Sequence, residues 1–462
     1  MSGSGQSVTT AFVDLATFDE IEKYMYGGPD ATAYFVRESR KSTWFSQVPV
    51  QLSVASGTGQ FGQSFTVNIS RAGDYLLHSW LRVTVPEITL LPTNAAGGAA
   101  DGRIRWCANF MHNLIKECQI KFNDLPAARF DNYHLDFWTA FTVPAGKRNG
   151  YDNMIGNFDD MTGPHGAGDK IPSFTLNLPL PFWFARDTGV ALPTAALPYN
   201  EMRILFEFRT WQELLILADS SVETAEQRRD IVVGSDKDIA TIPALVASQV
   251  WANYAIVSND ERKKMACAAR DILIEQVQTA PKSTHSGGSP HLDIRFSHSI
   301  KALFFAVRNT TWKSEWSNYT THSPDTGPIA LVSPSDQSVD PILETTLCYE
   351  NTNRLNQMGS DYFSLVNPYY HAVSIPTDTG YHMYSYSLDF TSLDPMGSTN
   401  YGKLTNVSIM PTASKGMEDA LSAADDTPRG GGNFPQTFET VITAVNNNII
   451  RISGGALGFP VL

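Results

Sequence analysis

Short segments in which apolar and polar residues alternate recur along this chain, and they restrict its fold more than any other feature. Residues 65–69, 81–85 and 118–122 each follow this pattern, and residues 202–208 follow it with one break. Successive side chains of a β-strand point to opposite faces, so the alternation indicates a strand with one buried face and one wet face. Turn-rich stretches lie between such segments, at residues 93–99 and 162–168. The pattern predicts an all-β sandwich.

The strand pattern is interrupted near residue 258 and then resumes. Ser258 and Glu261 have the spacing of a capping box, and good helix formers follow them. Strand-like segments reappear after this point, at residues 272–277, 293–298, 302–307, 382–390, 407–410, 441–445 and 449–452. We therefore predict an arm at residues 1–29, a first sandwich at 30–257, a helical connector at 258–270 and a second sandwich at 271–462.

The N-terminal segment differs in character from the sandwiches. Its first thirteen residues are small and polar, and we expect them to form a mobile arm. Thr17 and Glu20 then have capping-box spacing. Phe18, Ile21 and Met25 recur at helical spacing, which predicts a short amphipathic helix. Two interpretations stay open: its apolar face packs on the chain's own domain, or it docks on a partner or a membrane-side scaffold.

Composition excludes several classes of protein. Of 462 residues, 18% are charged and 11% are aromatic, which rules out a disordered chain. The 34 Lys and Arg against 47 Asp and Glu give a net charge of −13. This acidity disfavours bulk binding of nucleic acid and adhesion to an anionic membrane. No apolar run is long enough to span a bilayer, and the first residues lack the pattern of a signal peptide.

The cysteines indicate a reducing environment. None of Cys107, Cys118, Cys267 and Cys348 forms a CxxC pair. Free thiols of this kind are typical of proteins made and folded in a cytosol-like compartment.

No motif nominates a catalytic, cofactor or metal site. Gly57, Gly59 and Gly62 match a GxGxxG pattern, but a strand follows them rather than the helix that would hold a pyrophosphate. We interpret them as a glycine-rich loop. Zinc-binding spacings and a GxSxG nucleophile elbow are absent.

The remaining titratable groups have simpler explanations than catalysis. His285, His291 and His298 are six or seven residues apart, and loop or packing roles explain them. Asp159–Asp160 and Asp425–Asp426 are adjacent acids. A glycosidase needs two carboxyls about 5–10 Å apart across a cleft, whereas neighbours on a strand face opposite ways. These pairs are therefore expected to be solvated loop acids.

Aromatic residues and sequons raise the question of carbohydrate. Trp312 and Trp316 could form a sugar-binding platform near Asn318, although packing in a core or interface is the preferred interpretation. Sequons begin at four asparagines: Asn68, Asn309, Asn318 and Asn406. Two of these, Asn309 and Asn318, are predicted to lie in an exposed loop and are the candidate glycosylation sites.

Several stretches resemble the major capsid proteins of large icosahedral double-stranded DNA viruses, in particular the iridovirus branch. The most specific are LPLPFWFARD at residues 178–187 and ALPTAALPYNEMRI at residues 191–204. Further shared segments lie at residues 27–35, 71–81, 108–116, 151–156, 260–262, 295–303, 351–355, 362–369, 374–380, 397–401 and 448–455. The resemblance covers nearly the whole chain and is weakest at residues 219–243 and 411–436.

This resemblance implies a double jelly roll, in which two tandem sandwiches each have about eight strands in facing sheets. In the family, three chains form a capsomer of pseudo-hexagonal outline. Capsomers tile an icosahedral shell around an internal membrane and a double-stranded DNA genome. The resemblance places the arm on the inner side, where Phe18, Ile21 and Met25 would dock on minor capsid proteins.

The same resemblance implies a homotrimer in the virion capsid, assembled in the host cytoplasm. It implies no direct contact with nucleic acid, and contact with the internal membrane only through minor proteins. Two other classes are kept as alternatives. A jelly-roll carbohydrate-binding protein predicts saturable binding of sugar or Ca²⁺, and a glycoside hydrolase predicts a cleft carboxylate pair, for which no residue is nominated.

Overall fold

The structure is a computed structural model that describes residues 4–92, 102–218, 230–312, 314–322, 339–422 and 435–460. The chain divides into an N-terminal unit, Met1–Trp44, and a larger unit, Phe45–Leu462. Within the described ranges, no helix is both long and apolar enough to cross a membrane.

The N-terminal unit contains helices α1 (Ser4–Ala16) and α2 (Glu20–Met25). No helix was predicted over the first thirteen residues, although most of them belong to α1; the mobility of the arm stays a prediction. Composition did not indicate this helix, because many of its residues are small and polar, and Ser and Thr have low helix propensity.

The predicted capping box is displaced by two residues. The Thr17 hydroxyl donates to the Asp14 carbonyl at 2.7 Å, so it closes α1 rather than opening α2. Asp19 precedes α2 instead, and its backbone N–H donates to the Glu22 carboxylate at 3.2 Å. The acidic first turn also suits the positive end of the helix dipole.

The first half of the larger unit is built from strands that pair antiparallel. They are β1 (Phe45–Gln51), β2 (Ser53–Ser56), β3 (Ser64–Asn68), β4 (Tyr75–Val85), β5 (Ile88–Thr89), β6 (Arg103–Trp106), β7 (Ile115–Phe122), β8 (Leu125–Phe130), β9 (Lys170–Ile171), β10 (Phe174–Pro179), β11 (Met202–Phe208), β12 (Leu215–Ala218) and β13 (Ala247–Val257). One sheet has the order β1-β13-β4-β10, and another has the order β2-β3-β11-β7-β8.

Alternating side chains of these sheets form one apolar core. In β4, Leu81, Val83 and Val85 are buried, while the residues between them are more exposed. Phe65 and Val67 of β3 belong to the same core. The apolar residues that recur with the predicted period of two are thus the ones that face inward in the sandwich.

Helices that the strand pattern did not predict interrupt the first sandwich. They are α3 (Phe110–Leu114), α4 (Asn132–Thr142), α5 (Ala145–Ile155) and α6 (Asp159–Thr162).

Helix α7 (Asn259–Cys267) follows β13. In α7, Met265 is buried and Arg262 makes a two-pronged ion pair with Asp74, at 2.6 and 2.9 Å. This pair attaches α7 to the first sandwich.

The second half repeats the antiparallel design. Its strands are β14 (Arg270–Thr279), β15 (Ser283–His285), β16 (Leu292–Asp293), β17 (Ser299–Asn309), β18 (Ile342–Tyr349), β19 (Thr352–Gly359), β20 (His382–Ser385), β21 (Thr399–Asn400), β22 (Val407–Ala413), β23 (Phe438–Ser453) and β24 (Ala456–Gly458). Helices α8 (Asn367–His371) and α9 (Lys415–Leu421) lie between them. The facing sheets have the orders β14-β23-β17-β20 and β16-β22-β18-β19.

Strand β17 explains the continuous apolar run at residues 302–307. Leu303, Phe305 and Val307 point into the second sandwich. Ala302, Phe304 and Ala306 point the other way, into a separate cluster with α4. Because both faces of β17 are buried, no polar alternation remains. The strand predicted at residues 293–298 is wrong beyond its first residue, since β16 ends at Asp293.

Candidate functional site

Helix α4 of the first half packs on the outer face of the β23-β17-β20 sheet and joins the two sandwiches. Asp131 caps the helix by accepting from the His134 backbone N–H at 3.0 Å. Phe137 and Phe141 both stack on Phe304, with ring centroids 6.0 and 5.6 Å apart. All three rings are buried. We call this contact between the sandwiches the joint; its centre is as apolar as a domain core.

A buried carboxylate adds hydrogen bonds across the joint. Asp136 of α4 accepts from Nδ1 of His112 at 2.7 Å, from the Ser317 hydroxyl at 2.8 Å and from the Tyr319 hydroxyl at 2.9 Å. An ionised carboxylate only accepts, so Nδ1 of His112 carries the proton. Nε2 then accepts from the Tyr151 hydroxyl at 2.7 Å. Burial raises the pKa of Tyr151 and of Tyr319, which keeps both hydroxyls protonated.

A cluster of charges lies elsewhere in the joint. The Arg186 guanidinium lies 3.7 Å from the centre of the Trp138 ring and forms an ion pair with Glu275 at 2.9 Å. The second Glu275 oxygen pairs with Lys301, which also donates to the Ser392 carbonyl. Burial lowers the pKa of Arg186. Since Arg186 comes from the first half and Glu275 and Lys301 from the second, the cluster links the two sandwiches electrostatically.

Trp316 forms a third link. Arg209 and Arg308 lie 3.8 and 4.5 Å from the centre of its ring. Its indole N–H donates to the Glu213 carbonyl at 2.8 Å. Trp316 is partly buried and Trp312 is buried. The two tryptophans are therefore packing residues and do not present an open platform for sugar.

These contacts make the joint apolar at its centre, and its buried charges are paired, with Arg186 and Lys301 both facing Glu275. Domains separated by small polar interfaces move independently, whereas extensive apolar contact holds them together. We infer that the two sandwiches behave as one rigid body. The spacing of four residues between Tyr133, Phe137 and Phe141 is the sequence signal for α4, and it was not among the patterns used to predict the fold.

One serine, histidine and aspartate cluster has catalytic composition but not catalytic geometry. The Ser360 hydroxyl lies 2.6 Å from Asp340 and 2.7 Å from Nε2 of His382, and Nε2 itself lies 2.7 Å from Asp340. In a hydrolase triad the aspartate holds Nδ1 and leaves Nε2 for the serine. Here both groups share Nε2, and the ring stacks on Phe305 in the interior.

The glycine motif is a tight loop between β2 and β3. A Cβ added to Gly57 would lie 2.1 Å from the Ser64 carbonyl oxygen, and one on Gly59 would lie 2.7 Å from Cβ of Ser248. Both glycines also have positive φ, +83° and +64°. Backbone geometry therefore explains them, and strand β3 follows where a phosphate site needs a helix.

The other candidates from the sequence do not form a site. His285 is buried and its Nε2 donates to the Pro411 carbonyl at 3.0 Å, whereas His291 is exposed. Asp159 and Asp160 lie exposed in the first turn of α6. Asp425–Asp426 falls outside the described residues. Among the residues that are described, no group of three or more His, Cys, Asp or Glu could hold a metal ion.

The candidate glycosylation sites are not in an exposed loop, so that premise is wrong. Asn309 is 0% exposed and Asn318 is 8% exposed. The Asn309 amide donates to the Thr320 carbonyl at 3.1 Å and to Gln436 at 2.9 Å. A glycan would attach to this same nitrogen, so neither bond nor the packing around it would survive in this fold. Asn309 ends the buried strand β17, which a local sequon pattern does not reveal.

The predicted docking residues of the arm are exposed. Phe18, Ile21 and Met25 are 50%, 69% and 58% exposed. Helix α1 adds a second exposed apolar set at helical spacing, comprising Val8, Phe12 and Leu15. Large apolar side chains at such density are unusual on a free surface and typically mark an interaction segment.

The two joined sandwiches define a class, the double jelly-roll viral capsid proteins. The solved PBCV-1 virus capsid protein shares this fold with a TM-score of 0.72 at 19% identity, over 93% of this chain and 100% of its own. Residues 33–257 match the family model of the major capsid protein N-terminus. Residues 261–458 match the model of the large eukaryotic DNA virus major capsid protein.

Full-length relatives are much more similar. The chain is 63% identical to the major capsid protein of Invertebrate iridescent virus 6 and 62% identical to that of Costelytra zealandica iridescent virus. Both alignments cover 100% of each chain. The chain belongs to this family of viral major capsid proteins, which are structural proteins and not enzymes. These comparisons give no support to the carbohydrate-binding alternative.

Proposed function

We propose that three copies of this chain associate into a pseudo-hexagonal capsomer, and that capsomers tile an icosahedral shell around an internal membrane and a double-stranded DNA genome. The joint is the observation that carries this proposal. Because each chain holds two sandwiches in one fixed relation, three chains supply six lobes without any lobe being free to rotate. A shell built this way needs interface area rather than a pocket.

Imaging of the purified chain tests the capsomer. Negative-stain class averages are expected to show one particle with a six-lobed outline. Two-lobed particles alone, at every protein concentration imaged, would contradict the proposal.

The domain organisation belongs to the same proposal. We assign an arm to residues 1–29, a first jelly roll to 30–257, a connector to 258–270 and a second jelly roll to 271–462. Assembly takes place in the host cytoplasm, where a reducing environment suits the four cysteines, all of which are free. The acidity of the chain supports a position without direct contact to the genome.

The arm is proposed to dock on minor capsid proteins at the inner face of the shell, which in turn reach the membrane. Its exposed apolar residues support this role, because apolar area buried at about 25 cal/mol per Å² drives protein association. We expect the triple substitution Phe18→Ser, Ile21→Ser and Met25→Ser to leave the trimer intact and to impair shell assembly.

The matched control is Lys23→Ser, which alters the charged side of α2 and should assemble normally. Oligomer mass is measured by light scattering, and shells are counted by electron microscopy in infected or co-expressing cells. A triple variant that assembles as well as the control contradicts the docking role, and one that no longer folds shows the arm to be part of the core.

A further inference from the structure

Two segments in the second half of the chain, residues 366–375 and 388–396, carry exposed apolar side chains. The most exposed are Tyr370, Leu388 and Tyr369, at 73%, 72% and 70%. The full set consists of Val366, Tyr369, Tyr370, Val373, Ile375, Leu388 and Met396. We call this set the α8 surface, after the helix that contains Tyr369 and Tyr370.

The α8 surface is held in place rather than carried on a loose loop. Nδ1 of His371 donates to the Leu388 carbonyl at 3.1 Å, and the Leu388 backbone N–H donates to the Met396 carbonyl at 3.3 Å. The first bond joins the two segments, and the second closes the loop between Leu388 and Met396. The Ser374 backbone N–H and hydroxyl donate to the carbonyls of Phe141 and Ala140, both at 3.2 Å. The surface is therefore anchored to α4 and already ordered before any partner binds, which lowers the entropy cost of association.

Charge is absent from most of this surface. Residues 362–377 contain no Asp, Glu, Lys or Arg. In the neighbouring segment, residues 388–396, the Asp389 carboxylate accepts from the Thr391 backbone N–H at 2.9 Å and from the Thr391 hydroxyl at 2.6 Å. Asp394 is the other carboxylate of this segment, and it is exposed. Copies of a chain with a net charge of −13 repel each other. They can approach closely where the contact itself carries little charge.

The area and composition also match a protein interface. At 70% and 73% exposure, Tyr369 and Tyr370 alone present roughly 200–350 Å² of largely apolar surface, since an aromatic side chain offers about 150–250 Å², and the other five side chains add to this area. The largest apolar patch on an ordinary monomer is about 300–600 Å² and is often functional, and a stable interface buries about 800 Å² per partner. Tyr and Met are enriched at the centres of interfaces, where Lys, Glu and Asp are depleted.

We propose that the α8 surface is the contact by which a second copy of this chain packs against it within the trimer. The inference rests on the proposed trimer and names the surface that forms it. A closed ring of three copies uses heterologous contacts, so the α8 surface of one copy meets a different face of the next. A contact of the α8 surface with itself would instead give dimers.

The test is the double variant Tyr370→Asp, Leu388→Asp, compared with Ile242→Asp, Val246→Asp. The control pair is also exposed, at 68% for each residue, but lies in the first half of the chain. Light scattering over a dilution series gives the mass, and far-UV circular dichroism checks the fold. The double variant would bury two carboxylates without partners. The concentration at which three-chain particles dissociate should therefore rise on the order of 100-fold. The control variant should dissociate at the wild-type concentration.

The outcomes separate this inference from the proposed trimer. A wild-type chain that is monomeric overturns the trimer itself. If the wild type and the double variant are equally trimeric, only the role of the α8 surface is overturned. The same conclusion follows if the double variant trimerises but no longer forms shells. Wild-type dimers that the double variant abolishes would show self-contact and overturn the ring arrangement.

A second measurement covers the case in which the double variant does not fold. Oxidative footprinting of wild-type trimers should protect Tyr370 and Met396 relative to the dissociated chain. Equal labelling in both states overturns the assignment.

Discussion

The buried carboxylate of Glu275 shows how single residues fix the relation between the sandwiches. It faces two cations, Arg186 and Lys301, that come from different halves of the larger unit. Buried ion clusters of this kind add little net stability compared with apolar packing, but losing one member leaves uncompensated charge in the interior. Their main effect is to define one arrangement of the two halves.

Glu275→Gln should therefore be strongly destabilising. We expect the free energy of unfolding to fall by about 3–5 kcal/mol, because two buried cations lose their counter-charge. The measurement is chemical denaturation at one fixed protein concentration. Asp271→Asn is the matched control, because it breaks an equally well-formed but exposed pair with Arg451 and should change stability little. Equal effects of the two variants would contradict the account.

His134 gives a prediction about acid. It is buried between Phe130 and Trp138, neither of its ring nitrogens has a hydrogen-bond partner, and burial lowers its pKa to about 3. The unfolded chain binds a proton at this histidine below about pH 6.5, but the folded chain does not until about pH 3. Its contribution to stability is thus present above pH 6.5 and falls as the pH drops towards 3.

We expect His134→Phe to remove this loss while keeping the aromatic packing. In urea denaturation between pH 7 and pH 4, the stability of the variant relative to wild type should rise steadily as the pH falls below 6.5. A difference between the two proteins that stays constant with pH would mean that His134 titrates normally in the fold.

Among the elements, α4 and β17 carry most of the joint. The sequence predicted the strands well where one face is wet, as in β11, whose predicted and observed bounds agree at residues 202–208. It did not predict α4, because a short buried helix inside a β-domain is recognisable only by aromatic spacing. The continuous apolar run of β17 likewise could not reveal that α4 covers its second face.

Phe137→Ala tests the contribution of α4. Truncating a buried aromatic ring costs about 3–5 kcal/mol, through lost burial and the cavity left behind. Thermal or denaturant unfolding should show a loss of this size. Tyr24→Ala, which truncates an exposed aromatic residue of the arm, should leave unfolding of the larger unit unchanged. A loss below about 1 kcal/mol for Phe137→Ala would mean that the two sandwiches are stable without this contact.

At the scale of the whole molecule, the sequence predicted the class and the tandem sandwiches but not the features that hold them together. The alternation of apolar and polar residues is a local signal, and the resemblance to a known family covers nearly the whole chain. Together they were sufficient to predict the architecture. The partners of Asp136, Glu275 and Trp316 are distant in sequence and were not predictable without the fold. The burial of Asn309 was missed for the same reason.

We propose that this chain is a self-associating building block whose two rigidly joined sandwiches supply two of six capsomer lobes. The decisive measurement is the solution mass of the purified chain, by light scattering coupled to size-exclusion chromatography. We expect a single species with the mass of three chains, stable on dilution into the micromolar range. A species with the mass of one chain that persists at high concentration would contradict it.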